Sequence, residues 1–182
     1  NLELVEKFIS IGVPRKQIFI SGHSCGGLLT LMLLSAHSEK VGGGISYMQA
    51  CFGKLSSKYK VKKVGPDEAL AKFAKKRPGP SELRARQINN IKQSNNVPVL
   101  AFTHPKDKWE GLLSDWLEEV PGVKRIVISE NYQINGKSCM VKGDNWQENI
   151  SARKNPGHEM NQGLCFQYYN PTILEYIASR IK

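Results

Sequence analysis

The stretch FISGHSCGGLLTLMLLS, residues 19 to 35, joins a short apolar segment to a long one through a glycine-rich turn. The centre of that turn, Gly22 to Gly26, reads G-x-S-x-G with Ser24 in the middle. The apolar residues before it favour a strand, and those after it favour a helix. Small residues two places to either side allow the sharp turn that exposes the serine hydroxyl. We therefore predict that Ser24 is a nucleophile at the carboxyl end of a strand.

The residue after the serine predicts a second function for this turn. The amide of Cys25 lies at the predicted helix N-terminus, where N–H groups and the helix dipole favour negative charge, so we expect it to donate to an oxyanion. A plain strand-to-helix connection remains an alternative. A phosphate-binding loop is excluded because no lysine follows Gly27. Cys25 is a poorer nucleophile candidate than Ser24, because His23 would then stand where a small residue is needed.

A serine nucleophile needs a histidine to remove its proton. Of the four histidines in the chain, His158 lies in the segment NPGHEMN before the last predicted helix, where a glycine-flanked loop can reach over a sheet edge. We predict it as the general base. His23 is expected to point away from the serine and at most to contact substrate. His37 is expected at a helix C-terminus, and His104 is expected in a loop.

The histidine in turn needs an acid to orient it. Asp107 follows a predicted strand in THPKDKWE, at the same sheet edge as the serine, and is the predicted acid. Asp107 with Glu110 also fits a helix capping box, and Asp144 is the substitute acid. Trp109 either lines the substrate pocket or opens the apolar face of the following helix.

Short apolar segments alternate with helical patterns along the chain. This alternation predicts an α/β fold with a mainly parallel sheet and helices on both faces. No linker divides residues 1–182, so we expect one domain. The predicted strands are 17–21, 41–50, 97–103 and 123–129. The predicted helices are 2–12, 24–37, 66–76, 80–94 and 109–120, with a last helix opened by Asn170-Pro171.

Most of the formal charge of +10 lies in one region, since residues 54–92 carry twelve Lys or Arg against three acidic residues. We interpret 52–95 as a basic insertion, which is either a solvated face or a surface that attracts an anionic substrate. Only Tyr59 and Phe73 could stack on bases there, so nucleic acid is a weak candidate partner.

The four cysteines show no metal-binding or redox spacing, so neither a zinc site nor another metal centre is expected. A disulfide between Cys139 and Cys165 is one option, and Asn149 to Ser151 fits a glycosylation triplet. No apolar run approaches the roughly 20 residues of a membrane span.

These residues resemble the α/β-hydrolases, in particular the branch of dienelactone hydrolases and prolyl-oligopeptidase-like esterases, in which G-H-S-x-G-G is common. The resemblance runs from Ile18 to the last helix and implies the order Ser24, Asp107, His158 for the triad, without a cofactor. Dienelactone hydrolase itself uses a cysteine nucleophile. The resemblance also implies a cap over the active site at the position of the basic insertion.

Members of that family carry further strands before the serine turn, and a loop among them supplies a second oxyanion donor. We expect the edge of the first strand to be covered by a preceding segment of a longer chain or by a second chain. The predicted activity is hydrolysis of a carboxylic ester or related acyl bond in a small molecule. A serine peptidase acting on short peptides and a non-catalytic binding protein of the same fold are the alternatives.

Overall fold

The computed structural model describes residues 2–128, 133–134, 137–138, 155, 157–159 and 164–181, with side chains for 2–128, 155, 157–159 and 169–181. Several sequence predictions lie outside the described residues. These are Asp144, the disulfide between Cys139 and Cys165, and the glycosylation triplet at 149–151.

Four parallel strands form the central sheet, in the spatial order β1-β2-β3-β4. Their bounds are Phe19–His23, Gly43–Tyr47, Val99–Thr103 and Val123–Val127. In the register, Ser21 pairs with Ile45, which pairs with Leu100. All four strands run the same way, so their carboxyl ends meet at one edge of the sheet. The predicted α/β fold is confirmed. A separate two-stranded antiparallel pair consists of β5 (Gln133–Ile134) and β6 (Lys137–Ser138).

Seven α-helices lie within the described residues, numbered α1 to α7 in chain order. Their bounds are Leu2–Ser10, Cys25–His37, Leu55–Lys58, Val61–Val64, Pro66–Lys76, Pro78–Lys92 and Leu164–Ile181. Among the described residues, no helix is both long and apolar enough to cross a bilayer.

The two faces of the sheet bury alternate residues of the same strands. On β3, Val99 and Ala101 face a core that contains Leu31 and Leu34 of α2. Leu100 and Phe102, on the other face of β3, pack in a core with residues of α7, including Tyr169 and Ile173. Helices therefore cover both faces, as the sequence predicts for a buried parallel sheet.

The basic insertion forms α3, α4, α5 and α6 between β2 and β3. Its first part has an apolar cluster of its own, which includes Leu55, Tyr59 and Phe73 and reaches Leu113. The end of α6 returns to the main core through Ile91, which is fully buried. The insertion is thus anchored at both ends, and α6 also serves as the crossover between two neighbouring strands.

Two helix predictions are wrong. The apolar spacing over 109–120 predicts one α-helix, but the structure has two 3₁₀ helices, Gly111–Leu113 and Asp115–Glu119. Each of these short 3₁₀ helices buries one leucine, Leu113 in the first and Leu117 in the second. Helices of this type rarely continue beyond three or four residues. The last helix begins at Leu164 and not at Asn170, so Pro171 lies inside it. Packing of this helix against the sheet offsets the cost of an internal proline.

Candidate active site

Ser24 stands between the end of β1 and the start of α2 in a strained backbone conformation. Its φ is +57° and its ψ is −123°, a region that a residue with a side chain rarely occupies. The surrounding backbone holds it there, since its N–H donates to the carbonyl of Tyr47 and its own carbonyl accepts from Gly27 and Ala50. Strain of this kind at the carboxyl edge of a parallel sheet is typical of a nucleophile turn.

The glycines of the turn differ in their importance. A Cβ on Gly22 would collide with the backbone carbonyl of Gly26. A Cβ on Gly27 would lie 2.9 Å from Ser46 Oγ and 3.0 Å from the carbonyl oxygen of Tyr47. A Cβ on Gly26 would meet nothing within 4 Å. The expectation that Gly26 is small for steric reasons is therefore wrong, and the close approach of α2 to β2 is made at Gly27.

The structure brings Ser24, His158 and Asp107 into one chain of hydrogen bonds. The Ser24 hydroxyl lies 2.8 Å from His158 Nε2, and His158 Nδ1 lies 3.0 Å from Asp107 Oδ2. A carboxylate accepts the proton on Nδ1, which leaves Nε2 to accept from the serine. His158 and Asp107 are each 3% exposed, so water barely competes for these contacts. The Ser24 hydroxyl also lies 3.2 Å from the carbonyl oxygen of Ala50, a second acceptor.

The other carboxylate oxygen of Asp107 is held by two N–H donors. The backbone N–H of Trp109 donates to Oδ1 at 2.9 Å, and the side-chain amide of Asn155 donates to it at 3.1 Å. Asn155 also accepts from the N–H of Lys108 and, through its carbonyl, from the N–H of His158. Asn155 therefore ties the histidine loop to the aspartate loop. Asn155 is not among the site residues predicted from the sequence, although its place three residues before His158 in NPGH is a usable signal.

Two aromatic rings flank the imidazole of His158. Trp109 stacks on it with ring centroids 5.2 Å apart and an interplanar angle of 16°. His23 contacts it at 4.8 Å, and His23 Nε2 donates to the backbone carbonyl of His158 at 2.7 Å. His23 thus points towards the histidine loop. Trp109 is half-buried and contacts the site, whereas the apolar helix face on which it was predicted does not form.

A disulfide that the sequence did not predict joins Cys25 to Cys51, with Cα atoms 4.4 Å apart. It links the residue after Ser24 to the loop after β2 and so fixes the amide predicted as an oxyanion donor. The spacing of 26 residues carries no recognisable pattern, and for this reason sequence reasoning could not find the pair.

Glu110, three residues after Asp107, forms a buried ion pair with Arg84 of α6. Arg84 Nε and Nη2 each lie 2.8 Å from Glu110 Oε2, and Arg84 Nη2 also donates to the carbonyl of Leu113. Burial raises the pKa of Glu110, while Arg84 and a hydrogen bond from the backbone N–H of Cys51 oppose the rise. The pair joins α6 to the loops that carry Asp107 and the disulfide. The predicted capping box at Asp107 is wrong, because no α-helix begins there.

The remaining histidines lie near their expected places. His37 is the last residue of α2. His104 follows β3 as a fully buried residue whose Nδ1 accepts from the N–H of Lys106.

A Cβ on Gly157 would lie 2.6 Å from the backbone nitrogen of Asp107, so this glycine lets the histidine loop pack on the aspartate loop. Among residues with described side chains, no group of three His, Cys, Asp or Glu could hold a metal ion.

Comparisons with known proteins identify the fold. No protein-family model matches the chain, and no curated protein matches it. A solved structure from a study of two fungal esterases from Rhizomucor miehei is similar, with a TM-score of 0.54 and 16% identity over 99% of this chain. Est816, described as an N-acyl homoserine lactone degrading enzyme, has a TM-score of 0.36 and 13% identity, covering 69% of this chain and 63% of its own. The chain spans 57% of the length of the fungal esterase structure, and it has the α/β fold of that esterase.

Proposed function

We propose that this protein is a serine hydrolase that cleaves carboxylic esters through an acyl-enzyme. The observation that carries the proposal is the hydrogen-bond chain from Ser24 through His158 to Asp107, with the serine held in a strained turn. Nucleophile, base and orienting acid are within hydrogen-bond reach of one another, the geometry that such chemistry requires. The fold is that of a fungal esterase structure, in keeping with the same activity.

In the first half of the reaction, Ser24 Oγ attacks the acyl carbon of the ester. The hydroxyl proton moves to His158 Nε2, and the carbonyl electron pair moves to the oxygen, which becomes negative. When the tetrahedral intermediate collapses, the bond to the leaving alcohol breaks and the alcohol takes the proton from His158. Asp107 stabilises the imidazolium form in both steps.

In the second half, water replaces the alcohol. His158 takes a proton from water, the resulting hydroxide attacks the acyl carbon, and the bond to Ser24 Oγ breaks. Ser24 regains its proton from His158 and the carboxylic acid leaves. These steps use side chains and water, and they call for neither a metal nor an organic cofactor.

The oxyanion would be held by the N–H of Cys25, which the disulfide fixes at the start of α2. A second donor completes such a site in related hydrolases. β1 pairs only with β2 among the described strands, and an open parallel edge favours another strand. A preceding segment of a longer chain or a second chain would cover this edge and supply that donor.

We also propose that residues 1–182 form one hydrolase domain in which the basic insertion at 52–95 is a cap. The ion pair between Arg84 and Glu110 supports this arrangement, because it fixes α6 to the loop that carries Asp107. A cap in this place would exclude water and shape the acyl specificity of the site.

A comparison of matched substrates tests the proposal. We expect the chain to hydrolyse p-nitrophenyl butyrate faster than butyryl p-nitroanilide, because an alcohol leaves more readily than an amine. Ser24→Ala should lower kcat by about a thousandfold or more. Ser21→Ala is the matched control, since Ser21 is an exposed serine on β1, the strand that leads into Ser24. Faster anilide hydrolysis would favour the peptidase alternative, and equal ester hydrolysis by the Ser24→Ala variant would overturn the proposal.

A further inference from the structure

A cavity of about 510 Å³ opens beside the serine turn. One side is the loop that follows β2, and the other is the corner between α5 and α6. Its lining residues are Cys51, Phe52, Gly53, Arg77, Gly79, Pro80 and Leu83. The cavity lies outside the chain of hydrogen bonds at the candidate active site.

Two contacts connect this cavity to the nucleophile. Cys51, at its wall, is covalently joined to Cys25, which directly follows Ser24. The preceding residue, Ala50, donates its N–H to the carbonyl of Ser24. The disulfide and this hydrogen bond therefore place the Cys51 wall of the cavity next to the turn that carries Ser24.

The lining combines apolar surface with one cation. Phe52, Pro80 and Leu83 are suited to a hydrocarbon chain, and Arg77 is the one charged residue among the described lining residues. Within the described part of the chain, the Arg77 guanidinium has no ion-pair partner, whereas Arg84 is fully engaged with Glu110. A guanidinium presents a planar fork that matches a carboxylate.

The backbone around Arg77 is fixed in advance. Its N–H donates to the carbonyl of Phe73, and its carbonyl accepts from the N–H of Ser81. Pro78 and Pro80 restrict the corner further, because the proline ring locks φ. The side chain thus starts from a rigid point at the N-terminus of α6, where the helix dipole also favours an anion.

We propose that this cavity binds the acyl chain of the substrate and selects chains that end in a carboxylate, which Arg77 holds. This inference rests on the proposed ester hydrolysis and adds the substrate class, namely half-esters of dicarboxylic acids. The apolar walls accommodate the methylene groups, and the Arg77 guanidinium forms an ion pair with the carboxylate at the far end of the acyl chain. Neutral acyl chains of the same length fill the same space without the ion pair.

The test compares p-nitrophenyl hexanoate with the mono-p-nitrophenyl ester of adipic acid, which has the same chain length and a terminal carboxylate. We expect wild-type kcat/KM to favour the adipate ester. Arg77→Gln should lower kcat/KM for the adipate ester by about fivefold, as for a partly exposed ion pair, and leave the hexanoate ester within about twofold. Arg77→Lys should restore part of the preference.

Arg86→Gln is the matched control, because Arg86 is an exposed arginine of α6 outside the cavity lining. Arg86→Gln removes the same charge from the insertion. It should leave the preference for the adipate ester unchanged if that preference depends on direct contact with Arg77. It should weaken the preference as much as Arg77→Gln does if the cause is the general positive charge of the insertion. An equal loss in both variants would overturn the inference, as would a wild-type enzyme that cleaves both esters equally.

The outcomes also separate this inference from the proposed function. Hydrolysis of the hexanoate ester that depends on Ser24 but shows no preference for adipate refutes the carboxylate site and leaves the hydrolase intact. Hydrolysis of neither ester, together with no fluorophosphonate adduct on the chain, overturns both.

Discussion

The indole of Trp109 lies nearly parallel to the imidazole of His158, with ring centroids 5.2 Å apart. The same tryptophan donates its backbone N–H to Asp107, so one residue contacts both partners of the predicted base-and-acid pair. His23 contacts the same imidazole and donates to the His158 carbonyl. These contacts hold the His158 ring in the plane that presents Nε2 to Ser24.

Trp109→Ala should therefore lower kcat more than it raises KM. The loss of a stacked ring is worth about 1 kcal/mol, which corresponds to a decrease in kcat of about five- to tenfold. Trp109→Phe keeps an aromatic face and should retain most of the activity. Steady-state kinetics with a neutral ester measure both variants. A Trp109→Ala enzyme with wild-type kcat would show that the stacking does not position His158 for the proposed reaction.

The two glycines of the serine turn predict opposite results on substitution. Gly22→Ala forces a Cβ against the carbonyl of Gly26 and should lower the free energy of unfolding by about 1–3 kcal/mol. Gly26→Ala meets open space in the first turn of α2, so it should be neutral or stabilise by about 0.5–1 kcal/mol. Urea denaturation of the two variants is the measurement, and equal destabilisation by both would contradict the steric account.

The disulfide between Cys25 and Cys51 closes a loop with a sequence separation of 26. For a loop of this length, chain entropy predicts that Cys51→Ser lowers the free energy of unfolding by about 3–4 kcal/mol. In a reductant, the wild type and the variant should unfold with the same free energy. Identical denaturation midpoints for the oxidised wild type and Cys51→Ser would show that the bond does not form or does not stabilise the fold.

The buried pair of Glu110 and Arg84 predicts a dependence of stability on pH. Burial raises the pKa of Glu110 in the folded state above its ordinary value of 4.5, so the folded chain holds this proton more tightly than the unfolded chain. The contribution of Glu110 to stability is thus fully present below pH 4.5 and is lost as the pH rises through the folded pKa. The free energy of unfolding of the wild type, relative to Glu110→Gln, should decrease over that interval.

Glu82→Gln provides the control for this measurement, because Glu82 is an exposed glutamate on α6 two residues before Arg84. Its difference from the wild type should change little over the same interval. A wild-type advantage over Glu110→Gln that grows as the pH rises would mean that the attraction of Arg84 outweighs the effect of burial.

Local patterns in the sequence predicted the parallel sheet and the proximity of Ser24, Asp107 and His158. The strand, turn and helix around Ser24 depend on residues adjacent in the chain, and the positions of Asp107 and His158 follow from the edge at which parallel strands end. Packing between distant segments could not be predicted in this way. The contact of Asn155 with Asp107 and the bond between Cys25 and Cys51 are set by how loops approach in space.

The errors in secondary structure have a related cause. The apolar spacing after Trp109 is compatible with an α-helix, but the chain there must also send Glu110 inward to Arg84. Short 3₁₀ helices satisfy both requirements. The sequence places Pro171 at the start of a helix, where proline is common, but packing of Tyr169 and Ile173 on the sheet extends the helix on both sides of it.

The most direct test of the central claim is the intact mass of the protein after treatment with a fluorophosphonate, which reacts with an activated serine. The account predicts a single adduct on the wild-type chain and none on the Ser24→Ala variant, with Ser21→Ala labelled like the wild type. An unlabelled wild-type chain, or equal labelling of the Ser24→Ala variant, would contradict the claim that His158 and Asp107 activate Ser24.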